Sequence, residues 1–150
     1  MTTKRFLKAF DELSIDQLYK IMKHRSNVFF LEQNCQCEDL DDKDQIAQHL
    51  WLENSAGDLV AYARLFLPNQ VYAESSIGRV LVPKVERGKG FANTLTEEAI
   101  QILETLAPGV AIRLSAQVPV EAFYQRFGFQ SYGEVYDECG IAHIGMIRDA

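Results

Sequence analysis

Ser76 to Leu106, SIGRVLVPKVERGKGFANTLTEEAIQILETL, is the segment from which the rest of this 150-residue chain can be ordered. Ile77, Val80, Leu81 and Val82 are strand formers, and Pro83 ends or edges that strand. Arg87-Gly88-Lys89-Gly90 then crowds two glycines and two cations into a turn. Behind it Ala92, Leu95, Ala99, Ile102 and Leu106 step by three and four, one apolar stripe on a helix that Pro108-Gly109 stops. A helix start presents unpaired N–H groups and a partial positive charge, so the turn suits an anion. Gly88 and Gly90 allow positive φ and close backbone approach, and Arg87 and Lys89 add mobile charge. Glu86 is the sole carboxylate between Lys84 and Phe91, so the turn is net basic and fits a pyrophosphate.

Working outward, the preceding chain reads as strands and one helix. Lys4 to Phe10 is a first strand, and Ser14 with Gln17 forms a capping box before a helix reaching about Phe30, with Ile15, Leu18, Met22 and Phe29 on one face. Arg25, Glu32 and Gln33 stand on or near its end as surface or capping groups. Glu38 to Asp44, EDLDDKD, is dense in carboxylates but lacks the glycine of a calcium loop. It reads either as a solvated loop or as a mouth that attracts an ammonium group. His49 to Glu53 and Leu59 to Leu67 are strands joined by the hairpin residues Asn54 to Asp58, and Ser76 to Val82 completes an antiparallel meander. In the second of these, Val60, Tyr62, Arg64 and Phe66 alternate with Leu59, Ala61, Ala63, Leu65 and Leu67. After the long helix come a strand at Ala111 to Gln117, a short helix opened by Pro119, and two closing strands, Ser131 to Tyr136 and His143 to Arg148. The result is one mixed α/β domain.

Composition narrows the function classes. A net charge of −6 argues against nucleic acid as the main partner, because phosphate neutralisation needs a basic face, and it suits a cationic small substrate. Cys35 and Cys37 lack the spacing of a redox or zinc pair, and Cys139 is remote, so all three are expected as reduced thiols in a cytoplasmic protein. No apolar run reaches the ~20 residues of a membrane span, and the start has no secretory h-region.

Two phosphate loops are excluded: Gly90 follows Lys89 where a Walker loop needs Ser or Thr, and Asn93 stands where a dinucleotide fingerprint needs its third glycine. The remaining pattern, Arg87-x-x-Gly90-x-Ala92, resembles the acyl-CoA pyrophosphate loop of the GNAT N-acetyltransferases. Phe123-Tyr124-x-x-x-Gly128-Phe129 matches that family's late motif, one strand and one short helix downstream. Glu32-Gln33, Ser76 to Val80, Leu114 to Gln117, Tyr136 to Glu138 and Gly140 to Met146 are similar to the ElaA-like branch. The resemblance implies the GNAT fold, a mixed, mostly antiparallel sheet flanked by helices, and acetyl transfer from acetyl-CoA to a primary amine without a metal. It also implies that the backbone of Val80, Leu81 and Val82 pairs with the pantetheine arm like an added strand. Amides of Arg87, Gly88, Lys89, Gly90, Phe91 and Ala92 would hold the pyrophosphate, and Tyr124 would donate to the departing thiolate. Gln117 replaces the asparagine many members carry after the fifth strand.

Such chemistry sets demands. An amine with pKa near ~10.4 costs about 4–5 kcal/mol to neutralise at pH 7, so a base or a water chain ending at one must take its proton. His143 is a candidate because imidazole titrates near neutrality. His49, Glu32, Asp44 and Glu138 compete with it. A backbone N–H of Val80 to Val82 could hold the developing oxyanion. The alternative is an acyl-CoA-binding module with the same fold and no turnover; an unrelated phosphate-ligand protein is a third reading.

Overall fold

The computed structural model describes residues 2–150. Its strands are β1 (Lys4–Ala9), β2 (Gln48–Glu53), β3 (Leu59–Phe66), β4 (Ser75–Leu81), β5 (Ile112–Gln117), β6 (Gln130–Glu138) and β7 (Ile141–Arg148). They form one sheet in the order β1-β2-β3-β4-β5-β7-β6, in which every pairing is antiparallel except β4 with β5. The expected meander and closing hairpin are present.

Helix α1 (Ile15–Arg25) starts as expected: Ser14 Oγ accepts from the Gln17 N–H and Gln17 Oε1 accepts from the Ser14 N–H, both at 3.0 Å. It does not run on as an α-helix. From Ser26 to Glu32 the chain widens into a π-helix, which ends where Asn34 turns left-handed and the Cys35 N–H donates to Phe29 O. Helix α2 (Phe91–Leu106) buries Phe91, Leu95, Ala99, Ile102 and Leu103 against the sheet, with Ala61, Ala63 and Leu65 of β3 in the same cluster. On the opposite face Ile21 and Val28 pack with Trp51, Leu59, Tyr62 and Leu81. Covered on both sides, β3 is buried at every position.

The strict alternation expected in β3 breaks at its start. Leu52 pairs with Ala61 and Glu53 with Leu59, so Val60 is an extra residue, a β-bulge. Leu59 therefore joins the Tyr62 face and Val60 the opposite one. A second irregularity shapes the site. Tyr62 pairs with Leu81 and Arg64 with Gly78, and Arg79, inside this bulge of β4, has φ 51°.

Candidate active site

The site lies where β4 and β5 part. They pair at Ser75–Ile112 and Ser76–Arg113, and from Ile77 onward β4 has no partner on that side. Parallel neighbours that diverge leave a wedge between them, and here it opens into a cavity of about 710 Å³, a size suited to a small-molecule site. Val80, Leu81 and Val82 line one wall; Ala116, Gln117 and Tyr124 line the other.

The glycine turn stands at one end. Gly88 (φ 78°) and Gly90 (φ 85°) both take left-handed backbone, and a Cβ at either would meet nothing within 4 Å. Glycine is needed there for its conformation, leaving open space above the backbone. Gly90 caps α2 without a side-chain bond, and the first helical N–H with a partner is that of Thr94, donating to Gly90 O. The N–H groups of Phe91, Ala92 and Asn93 therefore emerge at a free helix start. Of the turn, Arg87 and Ala92 line the cavity; Gly88, Lys89, Gly90 and Phe91 do not.

The charge of the turn differs from expectation. Arg87 makes a two-pronged pair with Glu32 and donates through Nε to Val82 O at 2.9 Å, while Lys89 meets Glu86 at 3.1 Å. Each cation has a carboxylate partner, and Glu32 supplies one of them from 55 residues away. Attraction for an anion is left to the amides and the helix dipole. The Val82 carbonyl is also already engaged.

Tyr124, on α3 (Glu121–Gln125), is buried with its ring edge-on to Phe123 and Phe129. Its hydroxyl has no hydrogen-bond partner among the described residues, it lines the cavity, and burial pushes the phenol up to about 12, so its proton stays in place. His143 is paired in register with Gln117 across β5 and β7 and lines the same cavity. Its Nδ1 lies 2.8 Å from Ile141 O, a carbonyl that can only accept, so Nδ1 carries a proton and donates it to this bond, which leaves Nε2 as the nitrogen turned to other partners. Nε2 is 3.4 Å from Glu138 Oε2.

Residues 13–150 match the model of the Acetyltransferase (GNAT) domain. The chain belongs to the GNAT acetyltransferase family. It is 37% identical to Protein ElaA of Escherichia coli over 139 residues, 92% of this chain and 91% of that one. The crystal structure of E. coli ElaA matches with a TM-score of 0.92 at 34% identity, covering 99% of this chain and 100% of its own. An acyl-CoA N-acyltransferase structure from Pseudomonas aeruginosa gives 0.92 at 36%, covering 98% and 99%. The fold and the ElaA-like resemblance read from the motifs are thus those of this GNAT chain.

Three competing bases are otherwise employed. His49 is fully buried, with Nε2–H donating to Asp44 O at 2.9 Å and Nδ1 accepting from Tyr62 Oη at 2.7 Å; burial lowers its basicity. Asp44 is buried between Arg25 (2.6 Å) and Arg64 (3.0 Å), and despite burial these guanidinium groups hold its carboxyl below the usual carboxylate range. The Arg87 hydrogen bond does the same to Glu32. None of these three lines the cavity, whereas Glu138 does.

The acidic loop of this GNAT chain is only partly solvated: Glu38, Leu40, Asp42 and Lys43 are exposed, whereas Asp39, Asp41 and Asp44 are taken up by arginines. Asp39 accepts from Arg25 and Arg79, Asp41 from Arg64 and Arg79, and Asp44 from Arg25 and Arg64. Three arginines from α1, β3 and β4 thus clamp the loop to the sheet. Arg25, expected at the surface, is fully buried. One signal existed in the sequence: Arg64 inside an otherwise apolar strand requires a carboxylate partner. Gln117 Nε2 donates to Gln33 Oε1 at 3.1 Å, so Glu32 and Gln33 bridge from the π-helix to both walls of the wedge.

The cysteines overturn the expectation of three reduced thiols. Cys37 and Cys139 form a disulfide, 102 residues apart, with Cα atoms 5.9 Å apart, and Cys35 is free. Sequence separation hid a proximity that folding creates, where the segment after the π-helix meets the β6–β7 turn. Among the described residues no helix is long and apolar enough to cross a membrane.

Proposed function

We propose that this chain, as one domain over residues 1–150, transfers an acetyl group from acetyl-CoA to a primary amine by direct attack on the thioester. The observation that carries the reading is the hydroxyl of the largely buried Tyr124, unpartnered among the described residues and open to a wedge that ends at a free helix start. Acetyl-CoA, when bound, supplies an activated acyl group on a thiol leaving group. The Phe91, Ala92 and Asn93 amides, with Gly88 and Gly90 permitting approach, hold its pyrophosphate. The β4 edge at Val80 and Leu81, continued by Val82 whose carbonyl is held by Arg87, receives the pantetheine arm as an added strand, and one of its N–H groups steadies the oxyanion. Gln117 lies on the opposite wall within reach of that arm.

His143 takes the amine proton at Nε2, and the imidazolium so formed faces the Glu138 carboxylate, which stabilises it. Tyr124 Oη donates its proton to the departing thiolate. Among lining carboxylates, Asp39 and Asp41 are matched by arginine, which leaves Glu38 and Glu138 to favour a cationic acceptor. The reading needs no metal, and nucleic acid and membrane are not partners in it. It places the protein in the cytoplasm, the compartment that supplies acetyl-CoA.

Thermal unfolding with and without acetyl-CoA, with ADP as control, tests the donor site. A ligand at ~100 times its Kd adds about 2.7 kcal/mol of stability. A rise in Tm that ADP does not reproduce is expected; no rise at millimolar ligand would refute the reading.

A further inference from the structure

Cys37 and Cys139 are not alone. The sulfur atoms of Cys35, Cys37 and Cys139 all lie within 4.8 Å of one another, and all three residues line the cavity. Cys37 is exposed and the other two are half-buried, so the cluster sits where the cavity meets solvent. Two local structures fix it there. Cys35 follows the left-handed Asn34 and is tied back by its N–H to Phe29 O. Cys139 and Gly140 form the two-residue turn between Glu138 and Ile141, both with positive φ (56° and 81°). That turn type prefers Asn, Asp or Gly at its first central place, so nothing in the turn itself calls for a cysteine. Its sulfur is explained by what it reaches.

We propose that the three cysteines form a thiol–disulfide exchange site. The Cys35 thiolate attacks Cys37 Sγ. A Cys35–Cys37 bond forms as the Cys37–Cys139 bond breaks, and the electron pair leaves on Cys139 Sγ, which takes up a proton equivalent to the one Cys35 lost to solvent. One disulfide is exchanged for another, so no oxidant or reductant is consumed. A covalent link across 102 residues becomes one across two, and the β6–β7 turn is released from the segment after the π-helix. Disulfides of cytosolic proteins are usually of this transient kind.

The exchange stands independently of the acetyl-transfer reading, whereas its consequence rests on it. The released turn carries Glu138, adjacent to Cys139, and Glu138 faces His143 at 3.4 Å. Exchange thereby frees the carboxylate that stabilises the charged imidazole, and opens the cavity at its solvent side.

Trypsin provides a direct readout, since cleavage after Arg25, Lys43, Arg126 and Arg148 places Cys35 and Cys37 on one peptide and Cys139 on another. Full-length protein, purified without reductant, is incubated at pH 8.5 with limiting iodoacetamide, then digested unreduced and analysed by mass spectrometry. Expected are the cross-linked peptide pair at the start and, with time, an internally bonded 26–43 peptide together with 127–148 alkylated at Cys139. Cys35→Ser should yield at least tenfold less of that alkylated peptide. In Cys37→Ser, oxidation of the two remaining thiols by dissolved oxygen should join Cys35 to Cys139, which keeps the idea testable should Cys35→Ser fail to fold. A cross-linked pair with alkylation confined to Cys35 at all times would overturn the proposal. So would unreduced protein without any cross-linked pair, including one in which a stoichiometric metal holds the sulfurs. The assay uses no acetyl-CoA or amine, so its outcome is separate from that of the transferase reading.

Discussion

Asp44→Asn removes one charge from the centre of the arginine–aspartate network while keeping the side chain's shape. Asp44 Oδ1 accepts from Arg25 Nη1 at 2.6 Å and from Arg64 Nη1 at 3.0 Å, and all three side chains are at most 8% exposed. Asparagine keeps an acceptor but no charge, so two buried guanidinium groups lose a shared counter-ion. Arg25 retains Asp39 and Arg64 retains Asp41, which limits the damage. Breaking a buried pair on one side costs roughly 3–5 kcal/mol, and the retained partners place this change at about 3. With a urea m-value of about 2 kcal/mol/M, the unfolding midpoint should fall by about 1.5 M. Buried pairs are weakly screened, so the difference should persist in 1 M NaCl.

The pH dependence of that difference has a definite sign. The folded-state carboxyl of Asp44 is depressed, so its stabilisation is complete above the unfolded value of ~3.9 and is lost as pH falls toward the folded one. Wild type and variant should differ by a constant amount from pH 8 to about 4.5 and converge below pH ~3.9. Equilibrium urea unfolding at several pH values reads both quantities. A change under about 1 kcal/mol at pH 7, or one that vanishes in salt, would refute the buried-network reasoning.

Two further outcomes follow from the site. His143→Gln should lower kcat for amine acetylation by ~10²-fold while leaving acetyl-CoA affinity within about twofold, as measured by initial rates and calorimetry. Glu32→Gln frees Arg87 beside the helix start; because the pair is exposed, stability should move by under ~1 kcal/mol. Acetyl-CoA should bind a few-fold tighter at low salt, with the gain fading as ionic strength rises, and unchanged affinity at low salt would count against the turn as an anion site.

Much of the architecture was legible because local pattern and global fold agree. The glycines of the α2 turn and the Ser14–Gln17 box are signals within a few residues of one another and lie where the sequence places them, and the stripe of α2 holds at Leu95, Ala99 and Ile102, although Leu106 is half exposed and Phe91 and Leu103 are buried beside it. Tyr124 and His143 were singled out from motif position and residue type, and the fold brings both to one cavity with Gln117. What escaped is non-local. The Glu32–Arg87 pair spans 55 residues, Arg64–Asp41 spans 23 and Cys37–Cys139 spans 102, and no periodicity encodes such partners. Val60 escaped differently: a bulge shifts the pleat by one, so alternation assigns the wrong face on one side of it. Counting charges would have helped with the loop, since Asp39, Asp41 and Asp44 are answered by Arg25, Arg64 and Arg79, of which only Arg64, inside an apolar strand, stands out in its own element.

The central claim is that Tyr124 acts as the acid for the leaving thiolate in an acetyl transfer to an amine. Its most direct test is Tyr124→Phe, which removes one oxygen from a buried ring and leaves the packing against Phe123 and Phe129 in place. Acetyl-CoA binding is measured by calorimetry and acetylated amine by mass spectrometry, for both proteins, across a panel of primary amines. Turnover reduced ~10²-fold or more with donor affinity intact is the predicted result. Equal turnover in the two proteins, or wild-type protein that binds acetyl-CoA and acetylates no amine, would contradict it.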